Sequence, residues 1–207
     1  MLNSQIAEDL AEVRALAEQG RAAPLLSGAH LLGYGLLLCS AWAAHYAILK
    51  QIGFGPGLGA WLGGLWAGFG ISSTLMNWAL RRRLRGRPGR GSVGNRGDRA
   101  MWTGVSLALL AIVIGALLRM VVFHDFAAPN TILPAAFALY GAAMIGSASL
   151  SGEKLLMRFG AVAIGMGCVA GIIANLPEMY LLGACAALVV LAWPGILLMR
   201  REPAAAA

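Results

Sequence analysis

"WALRRRLRGRPGRGSVGNRGDRAMW", residues 78–102, sets eight arginines and a single acid between two apolar runs. Everything about the fold turns on whether this stretch is a binding arm or a loop between buried segments. The runs on either side, about 58–80 and 101–123, each reach the roughly 20 residues a helix needs to cross a hydrocarbon core. Four more runs of that kind lie at about 27–48, 132–150, 159–176 and 178–199. The 207-residue chain is 59% hydrophobic and 12% charged, with a mean hydropathy of +0.73. Soluble domains carry about twice that fraction of charge. Too little polar chain remains for a separate soluble domain.

The expected fold class is therefore all-α: a polytopic membrane protein with a six-transmembrane-helix bundle. It divides into residues 1–22, a cytoplasmic amphipathic helix; 23–201, the membrane domain with its basic loop at 81–100; and 202–207, a cytoplasmic tail. Charge fixes the threading. Arg14 and Arg21 precede the first run, and Lys154, Arg158, Arg200 and Arg201 lie beyond the fourth and sixth. With the eight loop arginines these are 14 of the 16 basic residues on one side, leaving Lys50 and Arg119 for the other. Cationic segments resist translocation, so that side is expected to be cytoplasmic and both termini with it. Abundant Ala and Gly, with no organelle signal, point to a bacterial inner membrane. No basic-then-apolar leader opens the chain, because Glu8, Asp9, Glu12 and Glu18 occupy its start.

The arginine stretch thus reads as a topology anchor whose guanidinium groups meet anionic lipid headgroups along 81–99. It has no interleaved aromatic residues on which bases could stack, and Gly86, Pro88, Gly89, Gly91, Gly94 and Gly97 break it up. No nucleic-acid partner is expected. In the N-terminal segment, Ile6, Leu10, Val13 and Leu16 or Ala17 share one helical stripe. Its polar residues are mostly acidic, whereas helices that lie on anionic lipid are usually basic. Its expected partner is a protein, a second copy, or the basic loop.

Small residues recur at helical spacing. Ala60, Gly64, Gly68 and Ser72 form one ridge in the second run, and Ala163, Gly167 and Gly171 form another in the fifth. Such ridges let helix backbones approach closely in lipid. The two runs are expected at the centre of the bundle, with Trp61, Trp66 and Phe69 facing outward. Matches at constant offset, such as Gly59-Ala60 with Gly160-Ala161, have the form of an inverted three-plus-three repeat. They also arise by chance in a chain so rich in Gly, Ala and Leu. Cys39, Cys168 and Cys185 fall in apolar runs and are expected to be small buried packing residues.

Enzyme signatures are absent: there is no His-Glu-x-x-His, no phosphate-binding glycine loop ahead of Lys-Ser, and no Gly-x-Ser-x-Gly. No catalytic residue, cofactor or metal is assigned. The polar groups that could form a site lie on the outer side: Arg119, His45, His124, Asp125, Asn175 and Glu178, with Lys50 beside them. An ionisable residue at the depth of Arg119 must snorkel or find a partner, and Asp125 or Glu178 would serve.

Three functions fit these residues. The preferred one is a non-enzymatic protein-interaction or regulatory membrane module, forming a homo-oligomer or binding a partner membrane protein. A small-solute transporter or substrate-binding subunit would use the glycine ridges and Arg119. A haem or metal protein would bridge His45 and His124. His30 is excluded from that site because about 22 Å of helix separates it from His45.

Overall fold

The computed structural model describes residues 10, 25–87 and 89–201. The expected N-terminal amphipathic helix and the C-terminal tail lie outside these, apart from Leu10. Among the described residues the chain is all-helical, without strands. The helices are α1 (Gly28–Leu49), α2 (Leu58–Arg83), α3 (Val93–Val122), α4 (Ile132–Ser151, entered through a 3₁₀ turn at Ala128–Thr131), α5 (Lys154–Ile172) and α6 (Glu178–Met199). Five are long and apolar enough to cross a membrane: Gly28–Leu49, Val93–Val122, Ala128–Ser151, Lys154–Ile172 and Glu178–Met199. At 26 residues α2 has the length. Its many glycines, Asn77 and the closing Arg81, Arg82 and Arg83 dilute its apolar content.

Local sequence explains the helix ends. Ser92 caps α3 by accepting a hydrogen bond from the Asn95 amide at 3.2 Å. Gly152 ends α4 in the left-handed region at φ 75°, where a side chain would be strained. Glu153 then caps α5 by accepting from the Leu155 amide at 3.3 Å. This two-residue link folds α5 straight back along α4.

The core is made by α1, α4, α5 and α6. Phe137, Leu133 and Met144 from α4 meet Leu156 of α5, Met179, Val190 and Leu191 of α6, and Leu38 and Trp42 of α1. Glycines set the close approaches. A Cβ at Gly141 would stand 2.5 Å from the Gly160 carbonyl, and one at Gly160 would stand 2.8 Å from the Gly141 carbonyl. On the other side of the core, Gly195 lies against the backbone of Leu32 and Gly28, and Gly35 against that of Ala192. Within α6, Leu188–Ala192 is π-helical, and the Trp193 amide bonds back to the Leu188 carbonyl. Pro194 follows at once and has no N–H to offer a continuing α-helical ladder.

The two remaining helices flank this core, α2 on α1 and α3 on α4. Here the structure corrects the expected packing. None of the α2 residues is buried, and Ala60, Gly64, Gly68 and Ser72 are all exposed. A Cβ at Gly59, Gly63, Gly64, Gly68 or Gly70 would meet nothing within 4 Å. Its inner face is instead the bulky one: Trp66 and Phe69 pack against the core, while Trp61 alone of the three expected outward is exposed. Large rings cover more of α1 than a glycine ridge can, so they take the contact. The fifth-run ridge does pack inward. Ala163 is fully buried and Gly167 lies against the Pro134 carbonyl at 2.9 Å, whereas Gly171 makes only an ordinary contact with Pro134. The cysteines also depart from expectation: all three are free thiols, Cys39 partly buried and Cys168 and Cys185 exposed.

Candidate functional site

Charge is sorted to the two ends of the bundle. At the end holding Lys50 and Arg119, the expected polar residues form separate pairs rather than one site. Arg119 Nε meets Asp125 Oδ2 at 2.8 Å. Glu178 is taken by Lys50, Nζ to Oε1 at 2.9 Å, and this carboxylate holds the Lys50 ammonium above its ordinary range. Asn175 Oδ1 accepts from Asn130 Nδ2 at 3.4 Å. His124 is exposed, at the positive φ of 55° that ends α3.

His45 belongs to something the sequence did not disclose. Its ring stacks on Tyr180 with centroids 3.8 Å apart, and its Nδ1 accepts from Trp66 Nε1 at 3.2 Å. Trp42 packs against all three rings, 4.5 Å from Trp66, 5.5 Å from Tyr180 and 6.0 Å from His45. The Tyr180 hydroxyl donates to Asn130 Oδ1 at 2.7 Å, so Asn130 links this cluster to Asn175. An indole N–H can only donate, so His45 Nδ1 carries a lone pair and the imidazole is neutral with its proton on Nε2. The cluster joins α1, α2 and α6. Only the spacing of Trp42 and His45, one turn apart, was visible beforehand as a possible shared face. With Nδ1 occupied, His45 retains only Nε2 for any ligand, and no group of three or more His, Cys, Asp or Glu suited to a metal occurs among the described residues.

At the arginine-rich end the unexpected feature is Asp98, the one acid of the opening stretch, which turns inward and is only 4% exposed. Trp102 Nε1 donates to its Oδ1 at 3.2 Å. The buried Ser27 and Ser147 hydroxyls also interact with the carboxylate, although neither reaches close hydrogen-bond geometry. One turn earlier, Asn95 Oδ1 accepts from the Leu26 amide at 2.8 Å and Asn95 Nδ2 donates to the Gly89 carbonyl at 3.0 Å. Asn95 and Asp98 therefore tie the start of α3 to the chain entering α1 and to α4. Helical spacing places both on one face, a signal hidden by the arginines around them. Arg99 is used structurally, donating to the Asn95 and Arg90 carbonyls. Arg82 lies 3.6 Å over the Trp78 ring.

No protein-family model, curated protein or solved structure matches this chain.

Proposed function

We propose that the chain is a non-enzymatic membrane module of six spans, α2 being the sixth, that associates with a second copy of itself through the small-residue face of α2. The observation supporting this is the orientation of that helix. Its bulky residues are spent on α1, while Gly59, Gly63, Gly64, Gly68 and Gly70 look into open space. Lipid gains nothing from a glycine stripe, whereas a neighbouring helix gains close backbone contact. In this reading the arginine-rich end faces the cytoplasm of a bacterial inner membrane. The loop arginines then meet anionic headgroups, and residues 1–22 offer a second docking element beside them.

The test is a native mass spectrum of the full chain released from mild detergent. The expected result is a dimer that disappears in Gly64→Ile/Gly68→Ile while the monomer stays folded. A wild-type monomer throughout would overturn the reading. A retained small molecule in its place would turn attention to transport.

A further inference from the structure

A second feature of the arginine-rich end lies away from the loop itself. The link between α4 and α5 borders a cleft of about 360 Å³ lined by Gly152, Glu153, Lys154, Leu155, Arg158 and Arg201. It runs into a second of about 450 Å³ whose walls add Ala148, Ser149 and Met157. Three cations and one acid line the first cleft. The acid is already neutralised, since Arg201 Nη1 meets Glu153 Oε1 at 2.9 Å. Lys154 and Arg158, one turn apart on the same face of α5, have no acidic partner among the described residues. The first-turn amides of α5 add the positive end of its helix dipole.

We propose that this cleft binds the phosphate of an anionic phospholipid, held between Lys154 and Arg158. Three independent features converge on that ligand. Two uncompensated cations meet at a cavity of finite volume, which a plain topology anchor does not need. A guanidinium beside an ammonium suits a phosphate, the first giving paired hydrogen bonds and the second a point charge. The walls then pass from charged to apolar along α4 and α5, from Lys154 to Met157 and Ala148. A free phosphate would use only the charged mouth, whereas a phospholipid uses both, with its glycerol and first methylenes against the apolar part. The site differs from the loop arginines at 81–99, and it stands whichever side of the membrane this end faces.

The experiment uses the full chain in mild detergent doped with equal amounts of phosphatidylglycerol and phosphatidylcholine, read by native mass spectrometry. Wild type should retain phosphatidylglycerol over phosphatidylcholine by about tenfold, the order expected when two interfacial cations face one headgroup charge. Lys154→Ala/Arg158→Ala should lose that preference. Lys154→Arg/Arg158→Lys, which keeps the charge, should retain it, as should Arg81→Ala/Arg82→Ala/Arg83→Ala. Both α5 side chains are exposed, so their loss leaves the core untouched, and an unchanged thermal midpoint verifies this. Three results would overturn the proposal: equal retention of the two lipids, a preference that survives the double alanine variant, or one that follows the loop arginines. Displacement of phosphatidylglycerol by millimolar inorganic phosphate would assign the cleft to a soluble phosphate and refute the lipid.

Discussion

Trp66 and His45 are joined across two helices by one hydrogen bond, indole Nε1–H to imidazole Nδ1, at 3.2 Å. The bond fixes the histidine as the neutral Nε2–H tautomer and gives α2 one of its few specific attachments. Another is Asn77 Nδ2 donating to the Tyr34 hydroxyl at 2.5 Å, three turns away on the same side of α2. A helix with no buried residue is thus held by position-specific polar contacts as well as by ring packing.

Replacing Trp66 by Phe keeps a ring in place and removes the donor. The expected cost is about 1 kcal/mol, the usual net worth of such a bond. Reversible unfolding in mixed detergent micelles would measure it. In wild type the indole N–H resonance of Trp66 should shift sharply once acid protonates His45, because an imidazolium has no lone pair to accept. His45→Phe should abolish that shift.

The glycines divide into two classes that mutation should separate. Gly141→Val or Gly160→Val forces a branched side chain against the facing carbonyl, where even a Cβ lies within 2.8 Å. Unfolding measurements should show a loss of about 1–3 kcal/mol. Gly64→Val meets open space within the chain. Monomer stability should change by less than about 0.5 kcal/mol, as at other unpacked surface positions. A large loss there would mean that α2 packs differently.

Asp98 should matter more than its place in a charged stretch suggests. Asp98→Ala leaves the Trp102 indole and two buried hydroxyls without an acceptor, a loss of about 1–3 kcal/mol. Asp98→Asn keeps an acceptor for Trp102 and should cost less. If the two substitutions prove equally harmless in thermal unfolding, Asp98 does not tie α3 to its neighbours.

Arg119, the residue that sequence marks most strongly, should be nearly silent in stability. Its side chain is 65% exposed in the pair with Asp125. Arg119→Ala should therefore cost at most about 1 kcal/mol, less at high salt, by the same unfolding assay. A much larger, salt-independent loss would show that Arg119 serves more than one partner.

Helix positions were legible because long apolar runs broken by charge leave little choice of fold, and the sorting of Lys and Arg marked the two ends. Side-chain partners were legible only where chemistry limited them. Arg119 had two acids within reach and took Asp125, since Lys50 claims Glu178. What sequence could not disclose was the rotation of each helix about its own axis. In α2 both faces are apolar, one by aromatic rings and one by glycine, so periodicity does not say which turns inward. The same ambiguity hid the cluster of His45, Tyr180, Trp66 and Trp42, whose members come from three helices. Asp98 was masked for the opposite reason: amid so many exposed cations its own burial left no trace in composition.

The widened turn at Leu188–Ala192 makes the length of α6 as consequential as its residues. With one residue fewer, the segment could wind as a plain α-helix, and everything from Trp193 onward would rotate by about 100° relative to what precedes it. Gly195 would swing off Leu32 and Gly28, and Arg201 off Glu153, although no side chain in either contact had been altered. Substitutions within 188–192 that respect size should be borne easily, whereas a single-codon deletion there should uncouple the end of α6 from both α1 and the start of α5.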